Sequence, residues 1–173
     1  ECFNKVSPYA DYITVNISSP NTPNLRALHA RENFEPLFSA LNIARIKLDF
    51  TKPVFIKLSP DESKEVIADI IQAVREYKFD GVIASNTTIN HSGLTEQDSN
   101  RRLGGLSGKP LFKKSNALLA SIHENDHDLF KIGVGGVFSP IDFNKKLELG
   151  ASLVQIYTSF IYEGPGIVSK LLN

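Results

Sequence analysis

Apolar and polar positions alternate with a period of two from Tyr12 to Ser18. Val15 and Ile17 fall on one side, and Thr14, Asn16 and Ser18 on the other, which predicts a strand with two unlike faces. The strand stops in Ser18-Ser19-Pro20-Asn21-Thr22-Pro23-Asn24, where two prolines bar both helix and ladder. The period then lengthens. Asn33 is a candidate N-cap with Pro36 in the first turn, and Phe34, Leu37, Phe38, Leu41 and Ala44 recur at helical spacing. Pro53 resets the chain before a strand from Val54 to Ser59. Asp61 or Ser63 can cap the next helix, whose stripe is Val66, Ile67, Ile70, Ile71, Val74 and Tyr77. A third strand is predicted from Gly81 to Thr87, followed by a long polar loop to Gly108. Leu118, Leu119 and Ile122 mark another helix, and Phe130 to Gly136 a fourth strand. Ser139-Pro140-Ile141-Asp142 reads as cap, N1 proline and acidic N3, with Gly150 closing that helix. Leu153 to Ser159 is the fifth predicted strand, and Gly166 to Leu172 a short final helix.

Strand and helix alternate throughout, which requires a parallel sheet with helices outside it. Each polar cluster (SSPNT, KLSP, SNTT, GVGG, YTS) falls at or just beyond the C-terminal end of a strand. Barrels and doubly wound sheets both place their sites there. No GxGxxG turn follows the first strand, so the fold class expected is a (β/α)8 TIM barrel. About five β/α units are present where a closed barrel needs eight. Residues 1–173 are therefore expected to be the C-terminal part of one barrel domain, without its N-terminal strands. The chain opens on Glu1 and contains no methionine, as expected of a piece of a longer protein.

Composition narrows the function classes. Nineteen basic residues balance nineteen acidic ones, without the basic stripe a nucleic-acid surface needs. The single Cys2 allows no internal disulfide and no metal-ligand spacing. His29, His91, His123 and His127 are scattered. The last two are helix-spaced, but among Glu124, Asp126 and Asp128 they read as a solvated face, and no metal site is expected. No apolar run approaches bilayer-spanning length, and no signal peptide or basic amphipathic anchor is visible.

Lys57 is the sharpest single residue. It lies within VFIKLS, a strand expected to be buried on both faces. A cation is costly there unless an anion or strong acceptor meets it. It either faces a ligand or pairs with a carboxylate, Asp61 being near in sequence, or snorkels to water. GVGG (Gly133 to Gly136) and YTS (Tyr157 to Ser159) end the last two strands, the usual place for a barrel's phosphate cradle, although any tight turn after a strand also uses glycine. GGLSG (Gly104 to Gly108) offers further backbone donors or a lid hinge. The first loop's hydroxyls and carboxamides suit a polar planar ligand or a plain surface turn. A phosphate at the last strands, a lysine beside an electron-rich ring, and carboxamides at several strand ends together suit FMN. A lysine at the N1 edge of the flavin would stabilise its reduced form.

In their order and spacing, NISSPNT, VFIKLSP, SNTT, GGLSGKPL, GVGGV and GASLVQIYT closely resemble the dihydroorotate dehydrogenase family, from about Tyr12 to the end. The serine in the first loop resembles the class 2, quinone-reducing members, where class 1 has cysteine. The resemblance implies a β/α barrel with FMN at the strand C-termini, oxidising dihydroorotate to orotate in pyrimidine (UMP) biosynthesis. It implies that Ser19 is the base that removes the C5 proton while hydride leaves C6, with Thr22 passing the proton on. By the same likeness Asn21, Asn86 and Thr87 hold the substrate. Asn16, Lys57, Ser85, Gly108, Gly136, Tyr157 and Thr158 hold the flavin. The partners implied are dihydroorotate or orotate, a quinone, and the surface of the inner membrane (bacterial cytoplasmic or mitochondrial), reached through a segment not in these residues. Asn24 stands where the family usually has glycine. The family's N-terminal strands, with a second lysine and part of the flavin pocket, are not among these residues, so the isolated chain is expected to be inactive. Two other readings fit the residues: a phosphate-binding isomerase or aldolase with Lys57 as a Schiff-base lysine, and a non-catalytic barrel fragment associating through its sheet edge.

Overall fold

The computed structural model describes residues 1–19, 30–92, 94 and 104–173. A short helix α1 (Cys2–Val6) and a 3₁₀ turn (Ser7–Tyr9) lead into β1 (Ile13–Asn16). Then come α2 (Arg31–Lys47), β2 (Val54–Leu58), α3 (Lys64–Glu76) and β3 (Gly81–Ala84). After a second 3₁₀ turn (Lys109–Leu111) follow α4 (Phe112–Asn125), β4 (Phe130–Val134), α5 (Pro140–Glu148), β5 (Leu153–Gln155), α6 (Thr158–Glu163) and α7 (Ile167–Leu172).

The five strands are all parallel and stand side by side in chain order, β1-β2-β3-β4-β5. A doubly wound sheet reverses its strand order and carries helices on both faces. Here the large core lies on one face only. Val54, Ile56 and Leu58 of β2 and Val82 and Ala84 of β3 pack there against Phe34 and Phe38 of α2, Ile67, Ile70 and Val74 of α3, and Leu119 and Ile122 of α4. The opposite face holds a small cluster of Phe55, Ile83 and Ile132 with Val134 beside it. One-sided winding in chain order is barrel geometry, and the expected five units of a β/α barrel are what is found.

The helix ends follow local chemistry with one correction. Ser63, rather than Asp61, caps α3, its hydroxyl accepting the Val66 N–H at 3.4 Å. Ser139 caps α5, accepting the Asp142 N–H at 3.2 Å and donating to the Asp142 carboxylate at 2.8 Å. Asn33 is not the cap of α2. The helix starts at Arg31, after Ala30, and Pro36 lies inside it. The ion pair from Arg31 to Glu35 and on to Glu76 supports those early residues.

The strands are shorter than their sequence pattern. β3 stops at Ala84, β4 at Val134 and β5 at Gln155. The polar residues beyond those points leave the ladder and enter the turns above the sheet. Thr158 and Ser159 begin α6 instead of ending β5. His127 is exposed as expected, while His123 is half-buried: the two rings stack with centroids 3.7 Å apart, and His123 Nδ1 is buried against Gly150.

Candidate functional site

Because side chains alternate along a strand, Lys57 points to the same face of β2 as Phe55, away from the helices. Asn16, Lys57, Ile83 and Ile132 lie in one row across β1 to β4. Above this row opens a cavity of about 350 Å³, lined by Lys57, Ser85, Asn86 and Thr87 at one side and by Ser107, Gly108, Gly135, Gly136, Tyr157 and Thr158 at the other. Its size falls in the usual range for small-molecule sites.

Lys57 is half-buried, and burial pulls its pKa below the ordinary lysine value. No carboxylate among the described residues offsets that. Asp61, the expected partner, is engaged elsewhere, in an ion pair with Lys114 and in hydrogen bonds from the Thr88 hydroxyl and the Ile89 N–H (the latter 3.0 Å). The ammonium is thus left facing the cavity, an arrangement that an anionic or electron-rich ligand would stabilise.

Beside it the ends of β1, β2 and β3 are laced by polar side chains. Ser18, fully buried, donates its hydroxyl to the Lys57 carbonyl at 2.8 Å. The Asn86 amide donates to Asn16 Oδ1 and to Ser18 Oγ, each at 3.1 Å, and Asn86 Oδ1 accepts the Thr87 N–H at 2.8 Å. The Asn86 N–H itself donates to the Leu58 carbonyl at 2.8 Å. Asn16 and Asn86, 70 residues apart in sequence, therefore sit as a fixed pair next to the lysine. Ser85 is buried, with its hydroxyl donating to the Asn86 carbonyl at 2.8 Å.

The far side is built from turns. Gly108 (φ 73°) and Gly136 (φ 77°) both adopt backbone geometry that disfavours side chains. A Cβ on Gly136 would lie 2.5 Å from that of Phe112. Among the described residues no acceptor is found for the N–H groups of Gly136 and Val137, the first two past Gly135. The Thr158 hydroxyl reaches the Ser107 hydroxyl at 3.1 Å, joining the 104–108 turn to the end of β5. Tyr157 contributes to the wall while its ring stays largely in solvent.

The structure thus brings together Asn16, Lys57, Ser85, Asn86, Thr87, Gly108, Gly136, Tyr157 and Thr158. Ser19 follows directly on the buried Ser18, at the Lys57 end, and is half-buried. Asn21 and Thr22 lie outside the described residues. Two participants were missed in the sequence, Ser18 and Ser107. Ser18 shares the polar phase of β1 with Asn16, a signal that was present, whereas the contact between Ser107 and Thr158 joins residues 51 apart and left no local trace.

Comparison with known proteins bears on this site. A family model described as dihydroorotate dehydrogenase matches residues 1–173. A dihydroorotate dehydrogenase (quinone) from Christiangramia forsetii is 45% identical over 170 residues, covering 98% of this chain and 50% of its own. One from Psychromonas ingrahamii is 44% identical over 177 residues, covering 99% and 53%. The crystal structure of DHODH from Eimeria tenella in complex with ferulenol superposes with a TM-score of 0.92 at 30% identity, over 98% of this chain and 50% of that one. The chain spans about half the length of the curated relatives it matches.

Proposed function

Because this chain belongs to the dihydroorotate dehydrogenase family, we propose that its cavity is the FMN end of an enzyme oxidising dihydroorotate to orotate, with a quinone as final oxidant. The observation that carries this reading is the Lys57 ammonium, half-buried at the cavity without a carboxylate among the described residues. The donor set fits FMN along its length. A cation would meet the electron-accepting ring, carboxamides would sit beside it, and a turn whose Gly136 and Val137 N–H groups find no acceptor among the described residues would receive the phosphate. When bound, FMN would supply a two-electron acceptor for the hydride of dihydroorotate and pass the electrons to quinone.

The chain's own residues have separable tasks. Lys57 would set a positive charge at the cavity where a flavin ring would lie, and such a charge would favour the ring's reduced form. Asn86, held by Asn16 and Ser18, and Thr87, whose N–H donates to Asn86 Oδ1, would flank the substrate and present it the Asn86 Oδ1 and the Thr87 hydroxyl; the family resemblance adds Asn21 to this group. Ser19 takes the C5 proton. A serine is a weak base unaided, so its proton must pass onward, through Thr22 or ordered water. Such an enzyme serves pyrimidine biosynthesis and works at an inner-membrane surface where quinone dissolves. Among the described residues no helix is long and apolar enough to cross a membrane.

The depressed pKa of Lys57 would also serve Schiff-base chemistry. Family membership favours the flavin. The test is made on the full-length protein. Flavin absorbance should bleach on adding dihydroorotate and return with a quinone. Lys57→Gln should lower flavin affinity or shift its potential. An unchanged affinity and potential would remove the role of Lys57, and borohydride trapping of a carbonyl substrate on Lys57 would replace the whole reading.

A further inference from the structure

Lys146 on α5 is fully buried, and nothing in the reaction above uses it. Its stem lies with Leu119 and Ala151 against Gly133, where a Cβ on the glycine would approach Lys146 Cδ to 3.1 Å. Its ammonium donates to Ser115 Oγ at 2.6 Å, reaches the Val134 carbonyl at 3.5 Å, and lies 5.6 Å from the centre of the Phe112 ring. No carboxylate among the described residues touches it. Asp142, the acid whose field reaches it, is occupied by Ser139 and the Phe138 N–H. Burying an ammonium on these terms is unfavourable, and an apolar side chain would fill the same space.

The contacts lead from this lysine to the glycine turn. An ammonium only donates, so it occupies a lone pair of Ser115 and obliges that hydroxyl to donate in turn. Its acceptors are the carbonyls of Gly135, at 3.2 Å, and Phe112, at 3.1 Å. In a planar trans peptide the C=O and the following N–H point in opposite directions. Holding the Gly135 carbonyl on the α4 side therefore aims the Gly136 N–H away from Ser115. Gly136 lines the cavity, and its N–H has no acceptor among the described residues. None of the described residues lining this side of the cavity carries a positive charge. Lys109 stands nearby, over the Phe138 ring at 5.3 Å.

We propose that Lys146 is a positioning residue for phosphate: acting through Ser115, it orients the Gly135–Gly136 peptide and sets a buried positive charge behind the turn that receives the phosphate of FMN. This rests on the flavin reading above and adds to it an element outside the cavity wall. It explains why a cation is kept in an apolar layer. It also makes a specific demand, because riboflavin has the same ring and no phosphate.

The full-length apoprotein is titrated with FMN and with riboflavin, following the quenching of flavin fluorescence. The wild type should prefer FMN. Lys146→Met and Ser115→Ala should each weaken FMN about tenfold or more while leaving riboflavin within about twofold. The FMN preference of the wild type should also decline between about pH 7 and pH 9. Over that range Lys146, with its pKa pushed down to about 8 by burial, loses its proton, whereas a phosphate monoester with a second pKa of about 6 does not change. Riboflavin, read in parallel, cancels any contribution of Lys57 at the ring. Lys146→Met should show no such decline. Equal losses of FMN and riboflavin would mean a merely structural lysine and overturn the proposal, as would no loss of either. A wild type that binds neither flavin would overturn the flavin reading itself, and this inference with it.

Discussion

Alanine at Gly136 should destabilise the protein by about 2–5 kcal/mol, and two other glycines allow that figure to be taken apart. Gly136 has φ of 77°, and an added Cβ would sit 2.5 Å from Phe112 Cβ, 2.7 Å from its Cα and 2.9 Å from its nitrogen. A left-handed backbone costs an L-residue about 1–2 kcal/mol. Carbon atoms rest comfortably at about 3.5–4.0 Å, so the first turn of α4 would have to retreat by roughly 1 Å. Overpacking of that kind adds about 1–3 kcal/mol. Gly164 has φ of 70° and ψ of −171° with nothing within 4 Å of an added Cβ, so Gly164→Ala should show a backbone cost alone, about 1–3 kcal/mol. Gly166 has φ of −61° and is equally open. Gly166→Ala should be neutral or stabilising by up to about 1 kcal/mol, since it narrows the unfolded ensemble. Urea unfolding of the three full-length variants at unchanged m-value gives the differences directly. If Gly136→Ala loses no more than the backbone cost of about 1–2 kcal/mol, the close approach of the turn to Phe112 is wrong, and the cradle with it.

Ser19→Ala in the full-length protein should lower dihydroorotate oxidation by about two to four orders of magnitude and leave the flavin spectrum intact; near-normal turnover would exclude Ser19 as the base. Lys146 should also govern stability at alkaline pH in the flavin-free protein. Its folded pKa of about 8 lies below the ordinary 10.5. Between those values the unfolded chain holds the extra proton, so stability rises with pH, by about 3 kcal/mol in all. Below about pH 8 both states are protonated and the full burial penalty is present. Unfolding midpoints of wild type and Lys146→Met should therefore converge or cross between about pH 8 and pH 10, and parallel curves would refute the shift.

The residues proposed for flavin and substrate were legible at strand ends because the periods of two and 3.6 are local. The β-branched and aromatic run from Val54 to Leu58 reads locally as a strand, and alternation alone puts Lys57 in phase with Phe55. Ser63 and Ser139 cap their helices through atoms three residues away, so those boundaries were readable along the chain. α2 was less so, because its early residues are held by an ion pair to Glu76 on another helix. Choice of partner is a different matter. Asp61 lies four residues from Lys57 yet pairs with Lys114, 53 residues away, because β2 carries the lysine to the inner face while Asp61 leaves the strand beyond it. Ser18 meets Asn86, and Lys146 meets Ser115 behind Gly135, through contacts that exist only once parallel strands have been stacked in register. Periodicity fixes which face a residue occupies. Which side chain stands opposite depends on how the sheet is assembled, and that assembly is what leaves the lysine of an apolar strand at the cavity with no carboxylate beside it among the described residues.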